Sequence, residues 1–304
     1  MTPPTYVTGA TGFVGRHVVG ALLQADNTEV VRVGRSSGLT SYDELLSTAL
    51  VRGSAIIHLA GKAHDLKGSA DIGEYDAANF QLTQGIYDAF RQSDASTFIF
   101  ISSVKAVADD AIEPITEKTI PRPTTVYGRS KLKAEEYIRS HPGRATQKVY
   151  VLRPSVIHGA GVKGNIRLLE RFVDSGFPYP LGAFDNQRSL LSVDNLVYVI
   201  RALLEQNAPS GVYNVADDEP LSTVAIVRLI AAEHGRPARV LKISPVLLTM
   251  LARLGDKVRL PLNSERLEKL TGSYIVSNEG IKAVLSLEHM PLSAREGLRR
   301  VCAP

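Results

Sequence analysis

Short β-branched and aliphatic runs recur in the first half of the chain, at 5–8, 29–33, 55–59, 98–102 and 148–153, with amphipathic segments between them. That alternation predicts βαβ units and a parallel sheet. After Gly12 the apolar positions Val14, Val18, Ala21 and Leu22 fall at i, i+4, i+7 and i+8, the stripe of a helix packed on a sheet. Longer helices are predicted over 75–91 and 125–139. Past Arg153 and Pro154 the pattern breaks into glycine- and proline-rich loops at 159–164 and 176–182, then resumes as helices beginning at Asp194, Ser222 and Pro245. The chain reads as α/β, with a doubly wound parallel sheet over 1–160 and a smaller mixed α/β lobe over 161–304.

With 304 residues, 44% of them hydrophobic, the chain can fill such a core, which excludes a disordered or fibrous protein. Its one cysteine, Cys302, leaves no disulfide framework or cysteine-built metal site and fits a reducing cytoplasm. His58, His64 and His158 have no second ligand at a metal-like spacing, so no metal is expected. Residues 1–8 lack a basic start followed by a long apolar run, and no stretch reaches the roughly 18 apolar residues of a membrane span, so a cytoplasmic, non-spanning protein is expected. The segment 245–254 is apolar enough for a helix lying on a membrane surface; Arg253, Asp256 and Lys257 close it, and packing within the lobe is the favoured reading. Net charge is +4, with 35 basic residues scattered among 31 acidic ones. Such scatter points away from nucleic acid and toward anionic small molecules, or simply to a mildly basic surface.

Thr8-Gly9-Ala10-Thr11-Gly12-Phe13-Val14-Gly15 follows the first predicted strand and opens the first helix. Glycines at 9, 12 and 15 permit a tight turn, close approach of backbone to a pyrophosphate, and close packing of helix on strand, while the helix N-terminus offers N–H groups to the anion. The pattern is that of a Rossmann-type dinucleotide loop. Where a carboxylate would hold the ribose 2′-hydroxyl of NAD, the second strand ends in Arg35, Ser36 and Ser37, which favours the 2′-phosphate of NADP; a solvated Arg35, or one stacked on adenine, is the plainer alternative. Tyr127 and Lys131, four residues apart, project from one helix face, so a single carbonyl can meet both. An adjacent ammonium stabilises a phenolate, and lowering a tyrosine from ~10 to ~7 takes roughly 4 kcal/mol, which a close lysine together with a cationic nicotinamide ring supplies. Chance surface pairs share this spacing, but here Ser102 and Ser103 end the preceding strand, where a hydroxyl can hold the substrate oxygen.

On these motifs the sequence resembles the extended short-chain dehydrogenase/reductase family over nearly its whole length. The resemblance implies that Gly9, Thr11, Gly12, Phe13, Val14 and Gly15 form the cofactor loop, with Arg35 and Ser36 at the adenosine ribose. It makes Leu59, Ala60 and Gly61 a second cofactor contact and Asn79 the support of a proton relay. Ser103, Tyr127 and Lys131 become the catalytic trio, the last two also touching the cofactor, with Pro154 and Val156 over the nicotinamide and Ser155 and His158 lining the substrate side. The lobe is similar to that of nucleotide-sugar 4-epimerases and 4-ketosugar reductases: Lys163 and Asn165 lie in what looks like their nucleotide-gripping turn, and Arg188 resembles their diphosphate-binding arginine. Also implied are a sheet completed by parts of 188–215 and a homodimer that pairs the helices holding Asn79 and Tyr127.

What the resemblance implies chemically is hydride exchange at C4 of a hexose on a nucleoside diphosphate, UDP foremost, with NADP preferred over NAD, in polysaccharide biosynthesis. Three departures bear on this. Val104 and Lys105 stand where 4,6-dehydratases of the family carry an Asp–Glu pair, which argues against dehydration. His158 replaces a tyrosine usual in the subgroup, and 38–52 is too short for the usual third strand with its acidic adenine contact. Arg35 tilts the expectation to a 4-ketosugar reductase, because exchangeable NADPH suits net reduction; a 4-epimerase of UDP-glucose or UDP-GlcNAc is the alternative. A non-catalytic dinucleotide-binding sensor is a more distant third, disfavoured by the retained Tyr127 and Lys131.

Overall fold

A computed structural model describes residues 3–24, 29–63, 72–111, 113–161, 165–258 and 263–302. Its strands are β1 (Thr5–Thr8), β2 (Val30–Val33), β3 (Ala55–His58), β4 (Thr97–Ile101), β5 (Lys148–Pro154), β6 (Val156–His158), β7 (Leu190–Ser192) and β8 (Gly211–Val215). The helices are α1 (Phe13–Leu23), α2 (Tyr42–Ser47), α3 (Ile72–Tyr75), α4 (Leu82–Gln92), α5 (Val126–Ser140), α6 (Asn165–Asp174), α7 (Val193–Glu205), α8 (Thr223–Glu233), α9 (Pro245–Val258), α10 (Ser264–Thr271), α11 (Glu279–Val284) and α12 (Ala294–Cys302). Six strands form one parallel sheet in the order β2-β1-β3-β4-β5-β8, and β6 pairs with β7 in a second, parallel pair.

Successive strand residues enter different cores, as a side-chain period of two requires. Val7, Ile57, Ile99, Ile101, Tyr150 and Leu152 pack with α1 and α7 on one face of the sheet. Tyr6, Ile56, Phe98, Phe100 and Val151 pack with α4 and α5 on the other. Both faces are thus apolar and helix-covered, the condition under which parallel strands are stable. On α1, Val18 and Leu22 are buried as the stripe predicts, while Val19 instead of Ala21 completes it. In place of a further strand after β2 the chain forms α2, opened by a capping box between Ser41 and Glu44. The strand order reverses between β1 and β3, so the loops leaving their C-terminal ends part and leave a crevice.

The helix predicted over 75–91 is not continuous. Between α3 and α4 the residues Asp76–Gln81 form a π-helical turn, and Asn79 lies within it. One extra residue per turn leaves little trace in an apolar pattern, and such turns occur frequently at functional sites. α5 is bound to the sheet by Glu135, which accepts hydrogen bonds from Ser102 Oγ at the end of β4 and from Arg153 of β5, at 3.0 Å to Nε and 2.5 Å to Nη2. Both charged side chains are buried. In the lobe, α6, α8 and α12 enclose Ile166, Leu190, Leu221, Ile230 and Leu298, and α9 and α10 cover a second cluster around Tyr179, Leu181 and Val227. Packing within the lobe, the favoured reading for 245–254, accounts for one narrow stripe of α9: Leu248 and Ala252 are buried, whereas Val246, Leu247, Met250, Leu251 and Leu254 remain exposed.

Removing one partner of a buried ion pair leaves the other charge uncompensated, at a cost of about 3–5 kcal/mol. Glu135→Gln is therefore expected to lower unfolding free energy by about that amount, read as a reduced urea midpoint at unchanged slope; an unchanged midpoint refutes the assignment.

Candidate active site

The crevice is built first by what glycine lacks. Gly9 has φ +66°, and a Cβ there would lie 2.9 Å from the Ala60 nitrogen; one at Gly15 would lie 2.2 Å from the Gly9 carbonyl oxygen. The β1 turn, the start of α1 and the loop after β3 consequently touch backbone to backbone. Thr8 Oγ1 locks this arrangement by accepting the N–H groups of Leu59 (3.1 Å) and Ala60 (3.2 Å). It also bonds His58 Nδ1 at 2.8 Å, and His58 Nε2 bonds Thr83 Oγ1 at 2.9 Å. Burial first, and Lys131 second, push His58 down to about 3, so it is a neutral tie between strand and helix. Gly12 caps α1 without a side chain and the first turn holds no acidic residue, so Thr11, Gly12 and Phe13 present a positive helix end to the crevice. Val14 packs partly against the core beneath.

At the end of β2, Arg35 and Ser36 are exposed. Tyr42 of α2, absent from the sequence expectations, sets its phenol near the Gly9 backbone N–H and within electrostatic reach of Arg35. It joins the glycine turn to the Arg35 corner across 33 residues of chain, which no local pattern signals.

The catalytic candidates meet because α5 begins against the turn that follows β4. A Cβ at Gly128 would lie 2.4 Å from the Lys105 carbonyl oxygen, so only glycine permits this approach. Asp109 holds the helix start in place, accepting from the Thr124 and Thr125 N–H groups at 2.7 and 2.9 Å and from both hydroxyls. Burial raises its carboxyl, but these bonds outweigh it and hold the group below the ordinary carboxylate range. Ser103 lies close enough to the Tyr127 phenol to favour its ionised form, and the Tyr127 ring meets Tyr75 edge-on at 6.4 Å. Tyr127 is half-buried as a whole, and its phenolic oxygen is deeply set.

One helical turn on, buried Lys131 donates to the Ile101 carbonyl at 2.8 Å and lies 4.7 Å from the Phe100 ring centre. Burial brings its ammonium down to about 8, against the pull of Glu135. The backbone of Gly61 faces the same point: a Cβ there would be 2.8 Å from Asn79 Oδ1 and 3.3 Å from Lys131 Nζ. Asn79 accepts the Lys62 N–H at 2.7 Å and donates to Ser130 Oγ at 2.9 Å, and Ser130 donates to the Tyr127 carbonyl at 2.8 Å. Ser103, Tyr127, Lys131, Asn79 and Gly61 thus converge. The expected lowering of the Tyr127 phenol by Lys131 does not hold for the protein alone. Burial raises the phenol, nearby Ser103 lowers it and Tyr75 raises it, and Lys131 is engaged by Ile101 instead.

On the substrate side, Pro154 ends β5 and Val156 is exposed beside it. Ser155 Oγ is buried without a hydrogen-bond partner among the described residues. His158 is wholly buried, its Nε2 3.4 Å from Asp217 Oδ2, and does not line an open surface as expected. The Cβ of a residue at Gly297 of α12 would meet its ring at 3.0 Å. Lys163 lies outside the described residues; Asn165 opens α6, and its side chain is outside them too. Arg188 is half-buried beside the Tyr179 phenol, exchanging backbone hydrogen bonds with Leu221 at 3.0 and 2.9 Å. Tyr274, also unforeseen, bridges backbone to Arg188 while its hydroxyl donates to the Ala108 carbonyl at 2.6 Å and lies 3.3 Å from that of Val104. One residue therefore joins the Arg188 segment to the turn that follows Ser103.

The glycine cradle that a Cβ would fill, set under an uncapped helix end, fits the pyrophosphate of a dinucleotide. The model of the NAD dependent epimerase/dehydratase family matches residues 5–216. The chain is 28% identical to a UDP-glucose 4-epimerase of Vibrio cholerae, over 97% of this chain and 93% of that one. It is 28% identical to the GDP-6-deoxy-D-mannose reductase of Pseudomonas aeruginosa, over 76% and 80%. The crystal structure of UDP-N-acetylglucosamine 4-epimerase from Bacillus cereus shares the fold, with a TM-score of 0.77 at 22% identity, covering 99% of this chain and 98% of that chain. With a family match spanning most of the sequence and a site shaped for a dinucleotide, this chain is an enzyme of the NAD dependent epimerase/dehydratase family.

Proposed function

We propose that this enzyme exchanges a hydride with C4 of a hexose carried on a nucleoside diphosphate, a UDP-sugar foremost, and that it works as a 4-ketosugar reductase using NADPH. The observation that carries this reading is the meeting of Tyr127 and Ser103, with Lys131 one turn away and Arg188 tied to the same turn through Tyr274. Bound nicotinamide dinucleotide supplies the hydride. Ser103 orients the carbonyl oxygen, and Tyr127, whose phenol burial keeps protonated at neutral pH, gives it the proton. The Lys131 ammonium stabilises the phenolate left behind. Arg188 pairs with the diphosphate and sets the sugar's distance from Tyr127. Lys105, which donates to the Asp109 carbonyl at 2.5 Å, occupies a position where dehydratases of the family carry an acid; this supports a reaction that stops at hydride transfer.

A second reading, a UDP-hexose 4-epimerase, is favoured by the Vibrio cholerae relative, whose likeness spans 97% of this chain. The two separate by product. A reductase consumes NADPH in proportion to a UDP-4-keto-hexose and leaves UDP-GlcNAc and UDP-glucose unchanged; an epimerase interconverts these with their C4 epimers without added NADPH.

Tyr127→Phe is expected to lower turnover about 10²–10⁴-fold while dinucleotide binding, followed by fluorescence titration, stays at the wild-type level. Retained turnover rules out Tyr127 as the proton donor. Because Lys131 titrates at about 8 instead of the usual lysine value, turnover is expected to fall as pH rises through about 8, the ammonium being lost there. A rate that stays flat to pH 10 contradicts this role. Arg35→Ala removes a charged partner worth about 1.5–3 kcal/mol, so NADPH binding should weaken roughly 10- to 100-fold with NADH little changed. Equal weakening of both cofactors removes the support for NADP.

A further inference from the structure

The outer face of the lobe leaves one helix half covered. On α9, Val246 is 69% exposed, Met250 63%, Leu254 53%, Leu247 50% and Leu251 45%, while Leu248, Ala252 and Gly255 face inward. At about 100° per residue the five exposed side chains share an arc of about 140° opposite the buried stripe, with Arg253 at its border. Exposed Leu241 precedes the helix, and exposed Phe177 lies two residues from Tyr179, which bridges to Val240 of the same adjoining loop. Phe177 lines a groove together with Tyr179 and Val227, members of the cluster that Leu248 joins, and with Arg236 and Arg239. Contiguous apolar surface rimmed by polar residues marks an interaction site.

Charge identifies what covers it. Residues 236–259 hold six basic side chains and one acidic, a net +5, while the rest of the chain is −1. Arg239, Lys242 and Arg253 are exposed, and no ion pair among the described residues engages them. The one acid, Asp256, is occupied by the Ser264 N–H at 2.9 Å and hydroxyl at 2.6 Å. A second copy meeting this face across a two-fold axis would set these cations against themselves, which disfavours self-association. A surface that is apolar below and anionic above satisfies both properties.

We propose that α9 and the adjoining loops dock this protein on an anionic lipid bilayer, the helix lying in the interface plane with its apolar arc in the acyl boundary and Arg239, Lys242 and Arg253 among the headgroup phosphates. No helix among the described residues is long and apolar enough to cross a membrane, so the attachment is peripheral. The inference is independent of which sugar the enzyme uses.

The test is co-sedimentation of the full chain with vesicles of phosphatidylglycerol and phosphatidylethanolamine, compared with vesicles of phosphatidylcholine alone. Wild type is expected to bind the anionic vesicles about ten-fold more strongly or better. Leu247→Glu combined with Met250→Glu should abolish binding, and Arg239→Glu combined with Arg253→Glu should remove the preference for anionic lipid. Dinucleotide binding and thermal midpoint, unchanged in both variants, report that the fold is intact. Wild type that stays in the supernatant with both vesicle types overturns the proposal, as does an apolar variant that binds like wild type. Self-association of wild type that Leu247→Glu abolishes, without vesicle binding, also overturns it and assigns the face to a second copy.

Discussion

The absence of a side chain at residue 128 governs the geometry of the site. With no Cβ there, α5 starts in contact with the carbonyl of Lys105, and the preceding residue, Tyr127, comes to rest on Ser103. The pitch of the helix then places Lys131 against Ile101 and Glu135 against Arg153 with no further adjustment. Each of these contacts lies on the same helix face, so a displacement of the helix start would break all of them together. Asp109 resists that displacement through four hydrogen bonds to Thr124 and Thr125.

This arrangement places several polar groups where burial disfavours their charge. His58, Lys131, Glu135 and Arg153 are all buried. Desolvating an ion costs several kcal/mol, and the cost is tolerable only where partners are close and well oriented. His58 responds by staying neutral, Arg153 and Glu135 by pairing, and Lys131 by donating to a carbonyl while burial brings its ammonium down to about 8. The two apolar layers flanking the sheet provide the rigidity that holds these partners in register. The same low polarity strengthens the influence of Lys131 on any charge developing at the Tyr127 oxygen.

The sheet was legible in the sequence because it rests on local signals. Alternating apolar runs marked five of the six strands of the large sheet to within a residue or two, and Gly9, Gly12 and Gly15 announced the turn that joins the first strand to its helix. What stayed hidden is set by contacts distant in sequence or by fine helical geometry. The π turn around Asn79 changes the helix by a single residue and leaves the apolar spacing nearly intact. Tyr42 reaches Gly9 from another element, and Tyr274 reaches Ala108 across 166 residues. The burial of His158 is of the same kind, since it depends on Asp217 and α12, far along the chain.

The Tyr274 contacts decide how the lobe acts on the chemistry. Arg188 is held by backbone bridges to Leu221 and Tyr274, and the Tyr274 hydroxyl reaches the carbonyls beside Ser103. The place of the Arg188 backbone relative to Ser103 is therefore set by hydrogen bonds within the protein. Under the proposed function, substrate that engages Arg188 arrives with its reacting carbon already placed, so attraction at the diphosphate is converted into orientation at C4. The sugar must then fit a fixed gap between two anchored groups, which makes the length of the carrier phosphate a determinant of specificity as strong as the ring substituents.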